Sequence, residues 1–156
     1  MILTYKLVEL IETHSNELAD TLVEKVRQSQ YLPEYRNVPA VDLKERVRGI
    51  YSHLGEWLEK RKEEDIKARY TEIGADRAEQ GVPLSQLNWT IVLTKENLWD
   101  YLRRSAVAND LKELSGELEM LQLLDQFFDR ALFFAAVGYE HWQHVQSIPK
   151  LRYGPV

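Results

Sequence analysis

His141 and His144 stand three residues apart in the stretch EHWQH, a spacing that turns two imidazoles to one side of a helix and can bring both onto one metal ion. His53 and Glu56 repeat the i,i+3 spacing in His53-Leu-Gly-Glu56. A carboxylate-bridged two-metal bundle needs two Glu-x-x-His pairs and two further glutamates. This chain has no Glu-x-x-His; His53-Leu-Gly-Glu56 runs in the reverse order. Haem held in the globin manner needs a histidine on a helix past mid-chain, and the interval Leu54–Glu140 contains none. With no cysteine, thiolate metal sites, disulfides and cysteine nucleophiles are excluded. The chain also lacks a phosphate-binding GxxxxGK[ST] loop, a GxGxxG after a strand and a GxSxG elbow. The expectation is a non-enzymatic protein with no cofactor, no bound metal and no catalytic residue. Its rival is a small helical metalloprotein or enzyme using His53, Glu56, His141 and His144.

The elements that must carry these residues are helical. Leu118–Val145 has no proline, and its apolar residues recur at helical spacing along two adjoining faces. Leu121, Phe128, Leu132, Ala135 and Tyr139 mark one face; Leu124, Phe127, Ala131, Phe134 and His141 mark the other. At about 1.5 Å per residue this helix spans roughly 40 Å, the length of a small domain. Its uncharged run Ala131–Tyr139 is far too short to cross a bilayer. A chain of 156 residues fits one domain with a sizeable core. Net charge is −5, with acids and bases interspersed, which argues against nucleic acid and an anionic membrane as partners. Acids stand where a signal peptide would be apolar, so a cytoplasmic location is expected.

In chain order, the spacing predicts a first helix over Leu3–Gln30 with a buried stripe of Leu7, Leu10, Ile11, Leu18, Leu22 and Val26. His14 falls on that stripe and is read as a hydrogen-bonded core histidine. The prolines of YLPEYRNVPAVD end the helix. A second helix is expected to begin with a capping box, Asp42 and Glu45. A third runs over Asp65–Gln80 with Ile66, Tyr70, Ile73 and Ala78 inward. Glycine inside a helix costs about 0.5–1 kcal/mol relative to alanine, so Gly74 implies a close helix crossing. Arg77, one turn on, is expected to pair locally rather than bind a ligand. Gly81 supplies the left-handed residue that ends the helix, and Pro83 follows. A fourth helix covers Pro83–Arg104, and a short turn, LKEL, precedes the long one. The fold expected is all-α: a single-domain bundle of about five helices around a long C-terminal helix, with a haem-free globin-like arrangement compatible. Residues 1–146 form the helical regulatory domain and 147–156 a flexible tail. A small apolar ligand near Trp89, Trp99, Phe127 and Phe134 is conceivable, though these read better as core aromatics.

The segment Arg69–Leu102, RYTEIGADRAEQGVPLSQLNWTIVLTKENLWDYL, resembles the N-terminal regulatory domain of RsbT co-antagonist (RsbRD-type) proteins of bacterial stress signalling. The matching positions are Gly74, Arg77, Ala78, Gly81, Pro83 and Leu84, in a pattern close to G-x-x-R-A-x-x-G-x-P-L. The resemblance implies a helical input or dimerisation module that regulates an attached output domain and meets a signalling-protein partner. Only eleven residues follow Val145, so the chain is expected either to stand alone or to be cut from a longer protein. The phosphorylation sites of the output domain have no counterpart to map.

A homodimer is expected on independent grounds. The outward stripe of the long helix steps through Glu119, Gln122, Gln126 and Asp129, then meets Phe133 and Ala136, with Val137 adjoining, before returning to Glu140 and Gln143. Phe133, Ala136 and Val137 therefore break a polar face with apolar groups. A second chain is the favoured cover; another helix or the tail of the same chain is the alternative.

Overall fold

The computed structural model describes residues 2–104 and 117–148. All regular structure among them is helical: α1 (Ile2–Thr13), α2 (Ser15–Gln28), a 3-10 turn (Pro33–Tyr35), α3 (Ala40–Lys60), α4 (Glu63–Glu79), α5 (Leu84–Arg104) and α6 (Glu117–Ser147). The all-α bundle around a long C-terminal helix is what the periodicity implies. Among the described residues no helix is long and apolar enough to cross a membrane. The expected LKEL turn and residues 149–156 of the tail lie outside the described residues.

Four local expectations need correction. The first helix is two, parted at His14, whose φ of −111° and ψ of 20° leave the helical region. Backbone bonds from His14 N to Leu10 O and from Leu18 N to His14 O still bracket the break. His14 is not a core group: its side chain is 41% exposed, 3.7 Å from Glu17 and beside the Tyr101 ring. The capping box does not form either. Pro39 occupies the cap position, so α3 starts at Ala40 and no side chain caps it. Asp42 lies inside the first turn, where its charge complements the positive end of the helix. His141 is exposed rather than on the apolar face.

The core forms where the helical stripes meet. Leu7, Ile11, Leu18, Leu22, Leu54, Leu58 and Ile91 are almost wholly buried, as are Phe127 and Phe128 of α6. Phe127 is the aromatic hub, with ring centroids 5.8 Å from Trp57, 5.8 Å from Tyr70 and 5.2 Å from Phe128. The inner row of α5 is unexpectedly polar, with Thr90, Thr94 and Asn97 all buried. Asn97 Nδ2 donates to Leu18 O at 3.0 Å and to the Tyr51 hydroxyl at 2.9 Å, and that hydroxyl donates to Thr94 O at 3.0 Å. Buried polar groups cost little when satisfied, and this chain of bonds ties α2, α3 and α5 in one register.

α4 packs most extensively against α6. A Cβ built on Gly74 would come within 2.0 Å of Ala135 O and 2.9 Å of Tyr139 N; one built on Gly138 would come within 1.9 Å of Thr71 O. Each helix thus presents a glycine to the other's backbone, and both are needed for the approach. α4 then ends as its sequence requires. Gly81, at φ 77°, donates to Ala78 O at 3.0 Å, and Val82 N donates to Arg77 O at 3.0 Å, closing the last carbonyls. α3 ends on a residue that rarely takes this conformation: Arg61 has φ 56°. Its backbone N–H donates to Trp57 O, and its own Nε donates to Leu58 O at 2.9 Å.

Candidate functional site

The matched motif residues divide between two sides of one junction. Gly74 and Ala78 are buried, and Gly74 lies on the α6 contact. Gly81, Val82 and Pro83 make the turn into α5, where the Tyr139 hydroxyl of α6 donates to Val82 O. Arg77 does something else. Its Nη1 reaches Gln80 Oε1 at 3.4 Å, a long contact, and the side chain forms part of a cavity wall.

That cavity, about 190 Å³, is bounded by α2, α3, α4, α5 and the 3-10 turn. Its inner wall is apolar, built from Leu22, Val26, Val47, Leu87 and Ile91; Arg46, Arg69, Glu72, Asp76 and Arg77 supply charge. Tyr35 closes one side. The 3-10 turn that carries it is fixed by Glu34 N donating to Gln86 Oε1 at 3.1 Å, and by Arg27 Nη2 donating to Val38 O at 2.7 Å. Tyr35 is 3% exposed, and its hydroxyl makes no hydrogen bond of good geometry, with Thr90 and Arg77 as its polar neighbours. Tyr70, 1% exposed, lines the same cavity with its hydroxyl unpaired. The nearby threonines donate elsewhere, Thr90 to Leu87 O at 2.6 Å and Thr94 to Thr90 O at 2.7 Å, so each can offer the tyrosines only an acceptor.

Electrostatics follows the burial. Desolvation pushes the Tyr35 hydroxyl's pKa up, partly offset by the charges of Arg77 and Arg46 and by loose hydrogen-bond contacts with Thr90 and Arg77. Burial, which disfavours the charged form, pulls Arg77 below the usual guanidinium range; the like charge of Arg46 adds to this, and Tyr35 and Asp76 oppose it. No carboxylate lies within ion-pair distance of Arg46, Arg69 or Arg77 among the described residues. The Arg69 guanidinium lies over Gly49 of α3, 3.2 Å from where a Cβ would stand.

None of Trp89, Trp99, Phe127 and Phe134, the ligand region considered from sequence, lines this cavity. Phe127 instead fills the centre of the core. Tyr35, Arg46 and Thr90 escaped sequence reasoning because they come from three separate elements. A row of Thr90, Thr94 and Asn97 at helical spacing on the inner side of α5 was the available signal. His53 is half-buried on α3, whereas Glu56, His141 and His144 are exposed. Among the described residues no three histidine or carboxylate groups converge as metal ligands.

On α6, Phe133 is 62% exposed and Val137 39%, with Ala136 half-buried between them and Val145, also exposed, two turns further on. Phe133 packs edge-on against Phe134 at 5.3 Å. No curated protein and no solved structure matches the chain. The sequence model of the RsbT co-antagonist protein rsbRD N-terminal domain, however, matches residues 16–146. That span runs from the start of α2 to the end of α6 and leaves out only α1 among the helices, far beyond the junction over which the likeness is visible by eye. The chain belongs to the RsbT co-antagonist protein RsbRD N-terminal domain family.

Proposed function

We propose that this stress-signalling regulatory domain works without catalysis, as an input module whose signal passes through self-association along the C-terminal half of α6. The observation that carries this reading is the exposure of Phe133 and Val137 on a helix face that is otherwise polar. Burying a large apolar side chain is worth about 1.5–3 kcal/mol. Paired across a two-fold axis, each group would be buried twice. The same helix is clamped to α4 by the glycine crossing, so a shift in α4 would be transmitted to the α6 surface as a rigid-body movement. A signalling protein of the stress pathway is the downstream partner in this reading, met directly or through an output domain.

Light scattering on the parent and on the double variant Phe133→Glu, Val137→Lys tests it. Both positions are exposed, so the variant should keep its helix content and its melting temperature within a few degrees. The parent is expected to be dimeric at high micromolar concentration and the variant monomeric. A parent that stays monomeric under those conditions ends the proposal.

A further inference from the structure

We propose that the cavity bounded by α2, α3, α4, α5 and the 3-10 turn binds a small organic monoanion, a carboxylate on a compact aromatic or branched body of about benzoate's size. The carboxylate would meet Arg77 and Arg46, with Tyr35 as hydroxyl donor, and the body would lie against Val47, Leu87 and Ile91. Four observations on this structure converge. First, the size is right: an apolar cavity of roughly 150 Å³ accepts benzene, and this one is about 190 Å³. Second, two buried tyrosines, Tyr35 and Tyr70, are among its lining residues, Tyr70 with no hydroxyl partner and Tyr35 with only loose contacts to Thr90 and Arg77. A buried hydroxyl without a good bond costs about 1–3 kcal/mol, and a ligand carrying acceptor oxygens would relieve it.

Third, the charged groups at the cavity are not mutually satisfied. Arg46 and Arg77 repel each other, and Arg77 carries its charge half-buried. Fourth, the sign points to an anion. Arg46, Arg69 and Arg77 outnumber Glu72 and Asp76 on the wall, and the half-buried pair, Arg46 and Arg77, has no carboxylate in ion-pair range among the described residues, which suits a small monoanion. A planar guanidinium matches a carboxylate with two parallel hydrogen bonds. A neutral apolar ligand would leave both the hydroxyls and the excess charge unanswered. A bare inorganic anion would leave the apolar wall empty.

Occupancy would draw Arg77 and Tyr70 of α4 towards Arg46 of α3 and Tyr35. That role as the input rests on the self-association reading above; binding itself does not. The experiment is calorimetric titration of the purified chain with benzoate, with benzamide as the neutral isostere and chloride as the bare anion. Saturable one-to-one uptake of benzoate is expected, at least about tenfold tighter than benzamide, as loss of a charge-assisted contact implies. Arg77→Gln should weaken benzoate by about tenfold or more. Tyr35→Phe should weaken it several-fold while leaving the unliganded melting temperature unchanged or higher, because it removes a buried hydroxyl without a good bond. That second variant keeps the test decisive if Arg77→Gln fails to fold. No saturable uptake at about ten millimolar overturns the proposal. So does equal affinity for benzamide, affinity unchanged in both variants, or chloride competing as strongly as benzoate. Light scattering on the same samples separates the two proposals. Benzoate that binds without changing association removes the role as input and leaves the site standing; a monomeric parent that binds benzoate removes only the dimer.

Discussion

α4 shows two opposite solutions on its two sides. Towards α6 it presents Thr71 and Gly74, and Gly138 answers from α6, so backbone lies against backbone with no space for a methyl group. Towards α3 and α5 it presents Ile73 and Arg77, with Tyr70 between the two sides, and there the packing stops short, leaving a cavity with an unpaired Tyr70 hydroxyl and unneutralised arginines. Protein interiors are close-packed, and rigid contacts transmit displacement. The dense side therefore makes α4 and α6 a single pillar. In the function proposed above, the open side is where that pillar would be pushed and the α6 surface where the movement would be displayed.

The comparison predicts its largest effect at the dense side. Gly138→Ala and Gly74→Ala each place a methyl group on backbone atoms that no rotamer change can clear. Overpacking typically costs about 1–3 kcal/mol, and backbone contacts near 2 Å put both variants at or above the top of that range. Gly55 of α3 is the control. It is buried, yet a Cβ there meets nothing within 4 Å. Gly55→Ala should stabilise by about 0.5–1 kcal/mol through helix propensity and a stiffer unfolded chain. Urea unfolding of the three variants checks this. If Gly138→Ala and Gly55→Ala shift stability in the same direction, the α4–α6 contact is looser than described.

The next effect concerns how α4 ends. Gly81 has open space around its Cβ position but a φ of 77°, so the cost of alanine is conformational alone, about 1 kcal/mol. The contrast with Gly74 is a sharp one: one glycine is required by space, the other by backbone angle. Gly81→Asn should recover part of the loss, since asparagine tolerates the left-handed region, whereas Gly74→Asn should not. An asparagine at Gly81 no better than alanine would mean the turn tolerates either residue in another conformation.

These two glycines also show what was legible from sequence. Gly81 and Pro83 carry local signals, and Gly74 stands out as an unexplained helix-interior glycine, so the junction could be read without knowing its neighbours. Gly138 was passed over because it closes a run of small and apolar residues, Ala135-Ala136-Val137-Gly138. Its meaning depends on which helix faces it. Hydrophobic periodicity located the helices well and their breaks poorly: His14 matches the apolar spacing yet sits at an interruption, and Pro39 rather than Asp42 starts α3. The cavity was illegible for a stronger reason. Tyr35, Arg46, Arg77 and Thr90 each have an ordinary explanation within their own segment. Only tertiary packing shows that Tyr35 lacks a well-formed hydrogen bond and Arg77 a carboxylate in ion-pair range.

The smallest effect tests the open side by acid. His53 of α3 is half-buried, with Arg69 of α4 and the carboxylates of Glu56 and Asp65 acting on it. Burial does most to lower its pKa and Arg69 adds to this, while Glu56 and Asp65 pull the other way without restoring it. The imidazole therefore stays neutral in the folded chain to a lower pH than in the unfolded one, whose value is about 6.5. Below that value the unfolded state binds more protons, so stability rises with pH through the interval between the two pKa values. The contribution is fully present above the unfolded value and is lost as pH falls towards the folded one. His53→Gln removes the titrating group, so the variant should lose less stability than the parent between about pH 7.5 and about pH 5.5. Because Arg69 is also a wall of the cavity, an acid-loosened α3–α4 contact should weaken benzoate uptake in the parent more than in the variant. The α4–α6 crossing is made by Thr71, Gly74, Ala135, Gly138 and the Tyr139 backbone, none of which titrates in this range, so the cost of Gly138→Ala should be the same at both pH values. Equal pH dependence in parent and His53→Gln would show that His53 is solvated and that acid does not act through this side of α4.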